Sequence, residues 1–84
     1  MTIVRRVEVE VFPIEPGRWI AVICAPQGPF TTEAAAAGQV ETETREAIVS
    51  AHGWADVQIA FVDDTGRPWS PESAEAQASR LLVP

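Results

Sequence analysis

The sequence predicts an α+β domain: a small antiparallel sheet of three to five strands packed by one main helix, in the order β-β-β-α-β, with a short C-terminal helix. Three observations lead to it. Residues 3–12 (IVRRVEVEVF) alternate apolar and charged side chains at the period of a half-buried strand. Residues 33–52 have a helical composition, with small and branched apolar residues recurring at helical spacing. The length, 84 residues, allows one core and no second one, so strands and helix must share it. Residues 1–70 are expected to form that single domain and 71–84 a short helix or tail.

In the first strand Val7, Val9 and Val11 share one face, with Glu8 and Glu10 on the other. Pro13 and the run Glu15-Pro16-Gly17-Arg18 supply a turn, since Pro presets φ and Gly accepts a positive one. Trp19 to Cys24 (WIAVIC) is apolar on both faces, as an inner strand requires, and closes a hairpin. Ala25-Pro26-Gln27-Gly28-Pro29 breaks that strand, and Phe30-Thr31 is a third, short one whose preceding proline marks an edge.

Thr31 or Thr32 is then expected to cap a helix from Glu33 to His52. Ala37, Val40, Thr44, Ala47, Ile48 and Ala51 would line its buried face, with Gly38 weakening the interior and Gly53 ending the helix. Ala55 to Val62 alternates again, with Val57, Ile59 and Phe61 on one face. Asp63-Asp64-Thr65-Gly66 is hairpin chemistry, leading to a short return at Arg67–Ser70. Ser70-Pro71-Glu72 has the form of a cap with proline in the first turn.

Composition narrows the function. Hydrophobic residues make up 46% and charged residues 21%, a balance that folds rather than stays disordered. Six arginines and no lysine face twelve acidic residues, giving a net charge of −6. A phosphate-neutralising surface needs clustered positive charge, so nucleic acid is not an expected partner. No apolar run approaches the ~18–20 residues of a membrane span, and residues 1–11 have the pattern of neither a signal nor a transit peptide. A cytoplasmic location is the expectation. The single cysteine cannot close an intrachain disulfide, and a small domain without such staples leans on its core or on a second copy. A homodimer is therefore expected.

Several residues invite a chemical reading. Cys24 and His52 are the only thiol and the only imidazole; a hydrolase would need them in contact and the histidine oriented by a third group. The plainer reading makes Cys24 a small buried hydrophobe and His52 a helix C-terminal cation. Asp56, Asp63 and Asp64 lack the spacing of a calcium loop and fit a turn better. Glu8 and Glu10 could be an acid–base pair, but a solvated strand face explains them more simply. Arg5 and Arg6 form no basic stripe. Trp19 belongs in the core, whereas Trp54 and Trp69 either close the end of that core or serve an interface.

One family shares this order of elements. The hairpin with Trp19-Ile20-Ala21, the Pro26-Gln27-Gly28 loop, the Thr31-Thr32-Glu33-Ala34 helix start and Arg45-Glu46-Ala47-Ile48 on the helix together resemble the N-terminal domain of HicB-type antitoxins, over residues 3–62. That domain has a β-β-β-α-β layout with a Trp-x-Ala strand and an Arg-Glu-Ala-Ile-like helical segment. Here the helix is about one turn longer before that segment, and the family's Leu-Pro-Gly-Cys loop is replaced. The resemblance implies a stand-alone version without the DNA-binding half, one that neutralises a small basic RNase toxin and self-associates.

The leading expectation is thus a non-catalytic protein-interaction domain, with Glu8, Glu10, Trp54 and Trp69 as partner-contacting residues. It carries no catalytic residue, metal or cofactor. The alternative is an accessory or regulatory domain that binds a small molecule or a larger enzyme, and the third class is a Cys24/His52 enzyme.

Overall fold

The computed structural model describes residues 5–15 and 17–74. Strands β1 (Arg5–Glu15), β2 (Arg18–Ala25), β3 (Gly28–Ala34) and β4 (Val57–Val62) form one sheet in the order β3-β2-β1-β4. Helix α1 (Val40–His52) lies between β3 and β4 in the chain. The β1–β2 hairpin turns at Gly17, whose φ of 78° is open to glycine at no steric cost. β2 and β3 pair antiparallel from Trp19↔Ala34 to Ala25↔Gly28.

The fourth strand changes the character of the sheet. β4 runs parallel to β1, in register from Arg5↔Val57 to Glu10↔Val62, so the expected small sheet packed by one helix is present but mixed. The cause is topological. β3 and β4 run the same way on opposite edges, and α1 is the crossover that returns the chain to the starting end. Nothing in a six-residue alternating strand distinguishes the two directions.

β3 also overturns the expected helix start. Thr31 and Thr32 are not caps: they pair with Val22 and Ala21, and β3 continues to Ala34. Ala36 is still extended, a turn of 3₁₀ helix spans Ala37–Gln39, and α1 begins at Val40 without a side-chain cap. Seven cross-strand pairs outweigh the modest helical preference of an alanine run. Gly38 therefore sits in the 3₁₀ turn and not in a helix interior. At the other end Gly53 takes up φ 71°, and its N–H donates to the Val49 carbonyl at 2.8 Å, as a terminating glycine should.

Odd-numbered residues of β1 and β2 face the helices. Val7, Val9, Val11, Trp19, Ala21 and Ile23 are buried against Val40, Thr44 and Ile48 of α1, each large aliphatic contributing about 1.5–3 kcal/mol. Ala47 is half-buried beside them, while Ala51, expected on this face, is exposed. Beyond β4 the chain turns at Asp63 and returns, with Val62 opposite Pro68 and the Trp69 N–H donating to the Phe61 carbonyl at 2.9 Å. That return seats Trp69 edge-on to Trp19, ring centroids 6.1 Å apart, and 5.9 Å from Phe61. Ser70 and Ser73 then cap each other: the Ser70 N–H donates to Ser73 Oγ and the Ser73 N–H to Ser70 Oγ. Residues 71–74 form a helical turn that buries Ala74; the rest of the expected C-terminal helix, 75–84, lies outside the described residues.

Candidate binding face

The same alternation that fills the core leaves the even-numbered side of β1 and β2 open. Both described helical segments pack on the other side, and cross-strand register orders what remains. The middle row runs Thr31, Val22, Glu10, Val62; below it lie Pro29, Cys24, Glu8 and Ala60, and above it Glu33, Ile20 and Phe12. Phe12, Ile20, Val22, Val62 and Glu10 are half-buried by their neighbours, and Glu8 is exposed. Glu10 thus stands inside an apolar patch, and Glu8 lies ~6.6 Å along the strand at its border.

The upper end of this face is held by Arg18. Its Nη2 donates to both Glu33 carboxylate oxygens at 2.9 Å and its Nη1 to Glu15 at 3.1 Å. The Glu33 hydrogen bond, then that of Glu15, raises the Arg18 pKa. This cluster ties the ends of β1, β2 and β3 together and neutralises part of its own acid. Glu8 and Glu10 make no ion pair among the described residues.

The four residues expected to contact a partner fall in two places. Glu8 and Glu10 lie on the open face; Trp54 and Trp69 lie on the helix side. Trp69, 8% exposed, is part of the core. Trp54 is half-buried in a stack, with Arg5 4.8 Å above its ring and His52 parallel to it at 4.4 Å. Phe30 meets His52 edge-on at 5.6 Å from the far side. Trp69 is thus a core residue, and Trp54 packs against the core with part of its ring exposed.

Cys24 and His52 do not meet. Cys24 is exposed on the open face, not buried as expected, because its even position points it away from the helices. His52 packs between Phe30 and Trp54 on the other side of the sheet. Asp63 is a turn residue: Oδ1 accepts from the Thr65 N–H, the Thr65 hydroxyl and the Arg67 N–H at 2.6–2.9 Å. The Thr65 hydroxyl, with the Arg67 N–H next, holds its carboxyl below the usual aspartate range. Among the described residues no cluster of His, Cys, Asp and Glu could hold a metal ion, and no helix is long and apolar enough to cross a membrane.

Phe12, Ile20, Val22, Val62 and Arg18 are the residues of this face that sequence reasoning missed. The signal was present in WIAVIC, apolar on both sides. It indicates an inner strand, which β2 is, but an inner strand of a single sheet has only one face covered by helices. The chain has no significant match to a protein-family model, a curated protein or a solved structure.

Proposed function

We propose that this chain is a non-catalytic protein-interaction domain, acting in the manner of a HicB-type antitoxin, whose open sheet face masks a small basic RNase. The observation that supports this reading is the placement of Glu10 within the patch of Phe12, Ile20, Val22 and Val62, with Glu8 at its border. Apolar side chains give an interface its area, while carboxylates steer a basic partner, speed its arrival and fix its register. The chain's net charge of −6 adds to the same attraction. A second copy fits this face less well, because it would set Glu8 and Glu10 of both chains against each other. The separation of Cys24 from His52 supports the non-catalytic part of the reading.

The test compares the tagged wild-type chain with a Glu8→Arg/Glu10→Arg variant as baits in native lysate at moderate salt. The wild type should retain a stoichiometric small basic protein that the variant loses, and adding the wild type should inhibit that protein's RNA cleavage. Retention that survives the double reversal, a captured protein without RNase activity, or no captured protein refutes the reading.

A further inference from the structure

Among the described residues the outer edge of β4 is closed at both ends and open in the middle. Near its start, Arg45 Nη1 reaches round from α1 and donates to the Val57 carbonyl at 3.1 Å. Near its end, the Trp69 N–H occupies the Phe61 carbonyl. Both acceptors belong to odd-numbered residues, so alternation aims the N–H and C=O of Ile59 away from β1 as well. Neither group of Ile59 has a partner on that side among the described residues. Over this one residue opens a cleft of about 370 Å³, lined by Arg6, Arg45, Val57, Gln58, Ile59 and Ala60. Arg6 faces Gln58 across the β1–β4 pairing and makes no ion pair among the described residues.

We infer that this cleft binds a ligand presenting a terminal carboxylate next to one amide: the C-terminal residue of an extended peptide, or an acylated amino acid. The unpaired Ile59 C=O accepts one amide N–H of the ligand, and the Ile59 N–H beside it donates to a carboxylate oxygen standing where a longer strand would place its next carbonyl. A guanidinium beside them takes a carboxylate through two parallel hydrogen bonds. The volume lies at the small end of ligand sites. Glu8 follows Arg6 on the same face, so a bare anion meets a like charge nearby and needs the amide contact to stay. The return at 67–69 covers the strand beyond Phe61, which limits pairing to that single amide.

The experiment is a titration of the ¹⁵N-labelled full chain with N-acetylalanine, its C-terminal amide, acetate, and a pentapeptide ending in a free alanine carboxylate. At least one of the two amide-bearing acids should shift the Ile59 and Gln58 amide signals saturably. The capped amide and acetate should each bind about tenfold or more weakly, and Arg6→Gln should weaken the acid about tenfold with the remaining spectrum unchanged. Equal binding of N-acetylalanine and the pentapeptide assigns the site to an acylated amino acid. Tighter or exclusive binding of the pentapeptide assigns it to a protein C-terminus. No saturable shift with either acid at about 10 mM, a capped amide as good as the acid, or an unaffected Arg6→Gln variant overturns the proposal.

Discussion

Replacing Glu10 by valine should make the isolated domain more stable and a poorer binder. Glu10 stands between Val22 on β2 and Val62 on β4, half-buried at the centre of the open face. A carboxylate there gains nothing from its two cross-strand neighbours and must stay hydrated over an apolar surface. Valine would make two apolar cross-strand pairs, each about 0.2–1 kcal/mol relative to alanine, and has the higher strand preference. With both pairs only partly covered, the sum is about 1 kcal/mol. A small domain unfolds in urea with a slope near 1 kcal/mol per molar, so the midpoint should rise by about 1 M. Urea denaturation followed by tryptophan fluorescence reads this directly, and the bait assay with the same variant should show reduced retention of the basic partner. An unchanged or lower midpoint refutes the reasoning, because Glu10 would then serve the fold itself and not a surface held ready for contact.

Three other predictions concern the body of the fold. The Thr44 hydroxyl is fully buried in α1 without a hydrogen-bond partner among the described residues, so Thr44→Val should stabilise by about 1 kcal/mol, read as a higher urea midpoint at unchanged slope. Gly53→Ala forces a side chain into the left-handed region and should cost about 1–2 kcal/mol in the same assay. Asp63 has a lowered pKa in the folded state, so its contribution is present above the unfolded aspartate value, about 4, and is lost as pH falls through the folded one. The gap in urea midpoint between wild type and Asp63→Ala should therefore be full at about pH 6 and shrink steadily below about pH 4; a gap independent of pH would show that the Asp63 carboxylate does not stabilise the turn.

How much of this was legible depends on whether the deciding force is local. The β1–β2 hairpin, the C-terminal end of α1, the strand β4 and the turn at Asp63 follow from period-two alternation, Gly17, Gly53 and the Asp-Asp-Thr-Gly run, all short-range signals. The start of α1 was not legible. Thr31-Thr32-Glu33 with the alanines after it looks like a capped helix, and only pairing with β2 draws Gly28–Ala34 into the sheet. The parallel direction of β4 is likewise set by where α1 leaves the chain. Of the candidate face, the alternation showed Glu8 and Glu10, but their apolar surroundings come from β2 and β4, distant in sequence and adjacent only through register.

The open face is where local preference and the global fold disagree. On the core side the central positions of β1 and β2 agree with their environment: valines, isoleucine, alanine and tryptophan, buried and packed. On the other side no described helical segment covers the half-buried apolar residues, and Glu10 among them makes no ion pair among the described residues. Natural sequences tend to break local consistency where contact with something else is needed. Arg18 sharpens the point. It engages Glu15 and Glu33 at the top of the same face, whereas Arg6, at the other end beside Glu8, makes no ion pair among the described residues. What Arg18 leaves is a pair of carboxylates on β1, Glu10 set in apolar surface and Glu8 at its border, on the side of the sheet that neither described helical segment covers. A partner with basic groups spaced to meet Glu8 and Glu10, and apolar side chains to cover Ile20 and Val22, would resolve both conflicts in one contact.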